Sequence, residues 1–599
     1  MRKGKFAEAL PYFERAVKTQ TERNPNPYDG EPLYNMGWCK KMLGDNDGAY
    51  DAFFKSTWNA AWQDAGYMGL AQIDTLRGNL AQALEHIDKS LIRNWHNHRA
   101  RQLKVSILRH LGHTDEAMAL AEDSVKIDSF NAGCIYEMYT IQTEKGDTKS
   151  AEKSRQLLEM LIGKSVHTCM EYALDYAAAG LYAEATQLLE MFAVKGNETY
   201  PMVYYTLAYL ASCQGNSEKA VELCEKAEKM SPDYCFPNRI EEVLILQNAI
   251  KMNPRGAKAP YYLGNFWYYA RQYKEAVECW ELSVSIDDTF PTVLRNLALA
   301  YYNKQGDASK AKDAIEKAYA LDTTDARILM ELDQLYKKLH VSHSERLKFL
   351  ESHAQEVEKR DDLCIERITL YNQLGETDKA LSLINGRHYH PWEGGEGKVT
   401  GQFLICITEL ARKAMAEERY ADALELLKKT EHYPVNLGEG KLATAEENDV
   451  HYLMGCAYEG LGQNDEAEAY FTRATCGAEE PAIAFFYNDQ QPDKIFYQGL
   501  AWRKLGNEAK ARGRFYKLIQ HGQQHLFDNV KIDYFAVSLP DLLIWEDDLN
   551  IRNAVHCNFV MALGHLGLGE KEKAAEFFKK VLELDNNHQG AMIHLKFCK

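Results

Sequence analysis

The sequence predicts an all-α fold, an α-solenoid (superhelix) built from about fifteen helix–turn–helix repeats. Three observations predict it. Ala49, Ala83, Ala117, Ala151 and Ala185 recur at a constant 34-residue interval, and Ala220 follows at 35. Each of these alanines stands shortly after a glycine turn that ends a helix-like segment, as at Gly112 before Ala117. No sustained alternation of apolar and polar residues appears, so strands are not expected.

Two segments show the full repeat. "VYYTLAYLASCQGNSEKAVELCEKAEKMSP" carries Leu207, Ala208, Gly215, Ala220, Ala227 and Pro232. "APYYLGNFWYYARQYKEAVECWELSVSIDD" carries Leu263, Gly264, Tyr273, Ala276 and Trp280. Both resemble the tetratricopeptide repeat, whose period is 34 residues. A small residue on the first helix (Gly264, Ala208, Gly455) is expected to let the second helix approach. The alanine of the second helix (Ala276, Ala220, Ala467) is placed at that crossing, and a large residue (Trp280, Phe471, Phe578) is expected to fill the gap to the next repeat.

Further repeats centre on Ala311, Ala380, Ala423, Ala467, Ala511 and Ala574, with Leu347 in place of alanine in a degenerate one. "NRIEEVLILQNAIKMNP" reads as a partial repeat. At the start, "GKFAEALPYFERAV" matches a second helix without its first, so the chain is expected to begin mid-repeat, as the C-terminal part of a longer protein. At the other end "HQGAMIHLKFCK" reads as a capping helix. Repeat regularity divides the chain into residues 1–236, 237–385 and 386–599.

After Ala380 the interval lengthens, to Ala423, Ala467, Ala511 and then Ala574. Each longer interval holds an insertion behind the second helix: "GRHYHPWEGGEGKVT", "EHYPVNLGEGKLATAEEND", "CGAEEPAIAFFYNDQQPDKIF" and "HGQQHLFDNVKIDYFAVSLPDLLIWEDDLN". Insertions at one place in successive repeats project from one edge of a solenoid, and loops on a rigid scaffold commonly carry binding. The four are therefore expected to form one composite wall between about residues 386 and 550. Its candidate binding residues are Trp392, Glu393, Glu396, Asn436, Glu439, Tyr487, Asp489, Gln490, Asp493, Asp541, Trp545 and Glu546. A second candidate surface is the concave groove, where Tyr205, Tyr209, Tyr261, Asn265, Tyr268, Tyr269, Asn296 and Tyr302 would present broad, stiff side chains.

Composition excludes several function classes. The net charge is −17, from 87 acidic and 70 basic residues, the wrong sign for a general nucleic-acid or anionic-membrane binder. No apolar run is long enough for a signal core or a membrane span. Thirteen scattered cysteines without a CxxC pair fit reduced thiols and a cytoplasmic location. The repeated "GEGK" is not a phosphate loop: Trp392 and Val435 stand where the first glycine belongs, and Val399 and Leu442 replace the hydroxyl. The pairs His388/His390 and His96/His98 lack a third metal ligand, and Glu393/Glu396 and Asp547/Asp548 lack a fixed distance for acid–base work. No cofactor, metal or catalytic residue is expected.

"HPWEGGEGK", "NLGEGK", "YNDQQPDK" and "YFAVSLPDLLIW", with "STWNAAWQDAGY" and "SLIRNWHNHRAR", together resemble the C-terminal repeat half of a bacterial family that carries a β-rich N-terminal domain of unknown function. That resemblance implies such a domain as partner and hints at carbohydrate metabolism. Tetratricopeptide domains that clamp acidic chaperone tails use Lys and Asn. Asn265 and Asn296 suit that pattern, but Tyr261 replaces the Lys, so that ligand is not expected. The expected function is a non-catalytic scaffold for a protein or peptide, with the edge loops as a second site. The alternative is part of a carbohydrate-processing or carbohydrate-binding protein whose loops complete a site with another domain.

Overall fold

The computed structural model describes residues 1–392, 394–483, 489–531 and 544–599. Among them are 32 α-helices and no strand, and the fold is an all-α solenoid. Compactness divides the chain into two units, Met1–Val293 and Leu294–Lys599.

The first unit stacks antiparallel helix pairs from Glu31–Met42 with Asn46–Ser56 to Lys258–Tyr269 with Tyr273–Ile286. The period is visible in burial: Ala49, Ala83, Ala117, Ala185 and Ala220 are all fully buried. The turn inside a pair is a left-handed residue. Gly112, at φ +80°, lets its own N–H reach Arg109 O and the His113 N–H reach Leu108 O, which satisfies carbonyls the helix leaves open. Arg271 takes the same place at φ +58° despite its Cβ. The helix Phe6–Thr21 packs on Glu31–Met42, and Phe6 is buried. Ile240–Met252, the expected partial repeat, is a single helix between two pairs, its start held by the Glu242 carboxylate on the Asn238 and Arg239 N–H groups.

The second unit stacks pairs from Ala326–Lys338 with His343–Ser352 through Leu549–Gly567 with Lys571–Leu584. Small and large residues meet within one pair, which corrects the expectation for the large ones. A Cβ on Gly264 would lie 2.4 Å from Trp280, one on Gly455 2.6 Å from Phe471 and one on Gly499 2.4 Å from Phe515. The aromatic ring of the second helix thus occupies the notch its own partner leaves open. In the degenerate repeat Leu347 is itself buried, and its neighbour Arg346 is fully buried.

The C-terminal segment does more than cap. Residues 587–596 touch the helices His343–Ser352, Asp361–Gln373, Lys398–Ala416 and Pro492–Lys504 of the same unit. Asn587 accepts from Arg346 at 3.0 Å, Gln589 and Gln402 exchange a bond at 2.7 Å, and His594 meets the Tyr497 hydroxyl at 3.2 Å. Lys596 reaches Glu409 at 3.3 Å. Among the described residues no helix is long and apolar enough to cross a membrane. All thirteen cysteines are free thiols.

Candidate functional site

The inserted loops follow the second helix of their pairs, at Thr377–Asn385, Tyr420–Lys428, Asn464–Ala474 and Glu508–His525. The first two touch. Tyr389 N–H donates to Asn436 O at 2.8 Å, and the Asn436 side chain donates to Ile384 O and Arg387 O at 2.9 and 2.8 Å. Asn436 is thus a brace that closes the helix before the first loop. Gly438, at φ +78°, lies so close to Tyr389 O that a Cβ would stand 2.5 Å away. Glu439 accepts from Gly397 N–H at 3.1 Å and from Thr400 Oγ1 at 3.1 Å, capping the helix Lys398–Ala416 from outside.

The two "GEGK" copies are neighbours but not conformational equals. Gly397 starts a helix at φ +73°, whereas Lys441 stays in the loop, where its amine bridges Thr430 O and Glu447. Trp392 folds over Gly395, which leaves no room for a side chain there. His390 is held through Asp361, which accepts its backbone N–H at 2.9 Å and pairs with Arg387 at 2.7 Å.

The third loop joins the second. Asn448 donates to Ala474 O and Cys476 O, Gln498 donates to Cys476 O and Ala478 O, and the Glu446 carboxylate accepts from Ala478 N–H. Gln490 donates to Ala478 O at 2.6 Å, while its own Oε1 is buried without a hydrogen-bond partner. Together the three loops enclose a recess of about 700 Å³. Glu396, Thr400, Tyr433, Glu439, Glu446 and Asp489 line it, with Gln490 and Lys494 at its inner end. Burial raises the Glu446 carboxyl above its ordinary value. Lys494 pairs with Asp449 at 2.5 Å and Asp493 at 3.9 Å, so its charge is already answered. Asp493 lies behind the recess, lining a second cavity of about 370 Å³ with Arg412 and His594.

The described end of the fourth loop, residues 544–550, packs elsewhere, so Trp545 and Glu546 are not part of that wall. Trp545 is 1% exposed, donates its indole N–H to Glu331 O at 2.8 Å and stands edge-on to Tyr302 at 5.3 Å. Glu546 pairs with Lys304, Asp547 with Lys338, and Asp548 caps the next helix through Asn550 N–H. Glu546 and Asp547 hold the loop against the helical turn Tyr301–Gln305 and the helix Ala326–Lys338 rather than lining the recess. Glu393, Tyr487 and Asp541 lie outside the described residues.

Most concave-groove candidates pack between helices. Tyr205 and Tyr261 are buried, against Tyr262 and, for Tyr261, Phe290. Tyr268 leans on Trp280, and Asn265 accepts that indole N–H at 3.1 Å. Asn296 accepts from Arg295 at 3.3 Å. Tyr302 backs Trp545. Asn265, Tyr268, Asn296 and Tyr302 are half-buried, Tyr269 is 77% exposed, and the half-buried Tyr209 lines a cavity of the first unit. Sequence reasoning missed Thr400, Tyr433, Glu446 and Lys494. Their signal was present, since Thr400, Glu446 and Lys494 flank the inserted loops at the first turn of the following helix or just before it, and Tyr433 stands within the second insertion.

Among the described residues no group of three His, Cys, Asp or Glu could hold a metal ion. The tetratricopeptide repeat family model matches residues 203–234, 449–475 and 556–588, each one helix pair of the fold. The chain carries tetratricopeptide repeats. Of solved structures, a crystal structure of MamA is similar at 22% identity, covering 32% of this chain and 97% of that one, with a TM-score of 0.16. A second, a crystal structure of MamA protein, is similar at 21% identity over 33% and 94%, also with a TM-score of 0.16.

Proposed function

We propose that this chain is a non-catalytic tetratricopeptide scaffold that binds a protein or peptide, and that the loop-built recess of the second unit is one of its contact sites. One observation carries it: insertions from three consecutive helix pairs brace one another around a single recess of about 700 Å³, within the range of ligand sites. Rigid helix pairs behind the loops give such a site a fixed shape. Residues 587–594 already contact Arg346, Gln402 and Tyr497 on three helices of the second unit, which favours the loop edge there as the place for a partner. The carbohydrate alternative draws no support from Trp545, since its ring is buried and not available for stacking on a sugar.

The test is a displayed peptide library selected on the full chain, with affinities measured for the selected peptides. Thr444→Trp fills the recess from an exposed position, and Asp489→Asn removes charge at its wall. Peptides that lose about tenfold or more in affinity on either change support the site. Peptides that bind both variants as tightly as the parent place the contact elsewhere, and a library that yields no binder counts against the scaffold itself.

A further inference from the structure

The first unit holds a recess of its own, about 500 Å³, with no part in the edge-loop site. Tyr34 and Trp38 form one apolar wall from the helix Glu31–Met42, and Leu174, Ala177 and Ala178 face them from Val166–Ala178. Between these walls stand six charged side chains. Four have partners. Arg99 pairs with Asp175 at 3.1 Å and with Glu171 at 3.8 Å. Glu171 also pairs with Arg239. Asp64 accepts from Ser90 at 2.8 Å and from Asn94 at 2.8 Å.

Lys41 and Glu241 remain. The Lys41 amine donates to Gln72 Oε1 at 2.6 Å and lies 5.0 Å from the Trp38 ring centre, and among the described residues no carboxylate is within ion-pair distance of it. Glu241, on the helix Ile240–Met252, makes neither a hydrogen bond nor an ion pair among the described residues. Its charge is nonetheless the one that acts on Lys41. An amine and a carboxylate thus face one cavity without meeting. Burial pushes Lys41 down to about 7 and Asp175 up to about 6, but Asp175 keeps Arg99 as its partner whereas Lys41 has no carboxylate beside it.

We propose that this cavity binds a small zwitterion, of the size of an amino acid or a dipeptide, with its carboxylate on Lys41, its ammonium on Glu241 and its apolar part between Trp38 and Leu174. A desolvated ion pair made on both ends fixes the ligand's orientation, and the cavity volume fits that size class. A ligand with one charge alone would satisfy one wall and leave the other bare.

The experiment is a thermal-shift and calorimetric screen of the full chain against the free amino acids and the dipeptide Ala-Ala, with N-acetyl-Ala-Ala and Ala-Ala amide as single-charge controls. At least one zwitterion is expected to bind with a Kd below about 1 mM, and its capped forms at least about tenfold more weakly. Lys41→Met and Glu241→Gln should each weaken binding about tenfold or more while circular dichroism stays unchanged. Lys41→Gln serves in place of Lys41→Met should the latter not fold. No binding by any zwitterion overturns the proposal. So does equal binding of a capped form, or of the zwitterion to both variants.

Discussion

The carboxylate of Glu439 accepts the backbone N–H of Gly397 at 3.1 Å, across 42 residues of sequence. One inserted loop therefore supplies the helix cap that its neighbour lacks. The helix Lys398–Ala416 has no side-chain cap of its own, since its first position is a glycine at φ +73°. An acidic group at a helix N-terminus meets open N–H donors and the positive end of the dipole. Glu439→Ala should cost about 1 kcal/mol of stability. Hydrogen exchange should show earlier opening at residues 394–402 than elsewhere in the second unit. Unchanged exchange there would show that the contact carries no capping role.

Gly264 and Trp280 make the second case. The indole fills the notch at Gly264 so closely that a methyl group would sit 2.4 Å from the ring, and Trp280 also donates to Asn265 at 3.1 Å. The ring cannot retreat without losing that bond. Gly264→Ala should destabilise by about 1–3 kcal/mol. Adding Trp280→Leu should cost less than the two single changes together, because the smaller side chain makes room for the methyl. Urea denaturation of the four variants gives the coupling, and a purely additive cycle would remove the notch as the reason.

The same pair shows what the sequence could reveal. The 34-residue register and the small-against-large pairing are local properties of one repeat, so they show in the residues. Ala83, Ala117 and Gly264 were placed by counting, and their burial or close contact follows from that register. Trp545 and Asn587 were not legible in this way. Their partners, Glu331 and Arg346, lie 214 and 241 residues away, and reaching them depends on how the second unit curves. The curvature sums small angles over many pairs and has no short motif. The burial of Tyr205 and Tyr261 was not legible for another reason: a first-helix position faces either the groove or the next helix within one turn, and residue type alone does not choose.

Arg346 tests the long-range part. It is fully buried, with both Asp333 oxygens on one side of the guanidinium at 3.1 and 2.7 Å, Glu366 at 2.7 Å and Asn587 at 3.0 Å. Removing one partner of a buried ion pair leaves a charge without water or counter-ion. Arg346→Met should cost about 3–5 kcal/mol, with Asp333 left bare. Asn587→Ala removes a neutral acceptor and should cost about 1 kcal/mol. It should also raise proteolysis of the C-terminal segment, which Arg346 helps to hold. Equal costs for the two changes would mean that the ion pair to Asp333 contributes little.

His594 sets the pH dependence of that segment. Its Nδ1–H donates to Gly590 O at 2.7 Å, and its Nε2 accepts from the Tyr497 hydroxyl at 3.2 Å, which in turn accepts from Arg412 at 2.6 Å. Every contact suits the neutral ring. Burial pushes His594 down to about 4, against an ordinary value of 6.5, and Arg412 adds to the effect while Glu409 and Asp449 oppose it. His556, also driven to about 4 by burial, faces the same cavity. The folded value lies below the unfolded one, so the unfolded chain takes up the proton first as pH falls. The stability these rings contribute is complete above about pH 6.5 and is lost as pH drops toward about 4, at no more than about 3 kcal/mol for each. Glu366, held low by Lys337 and Arg346 against its burial, begins to lose its contribution only as pH falls through about 4.5, at the acid end of that window. His594→Gln should therefore flatten the stability curve between pH 6.5 and pH 4, and adding His556→Gln should flatten it further. Denaturant titrations across this range decide the matter: a variant whose slope matches the parent's would show that the buried ring does not govern the acid lability.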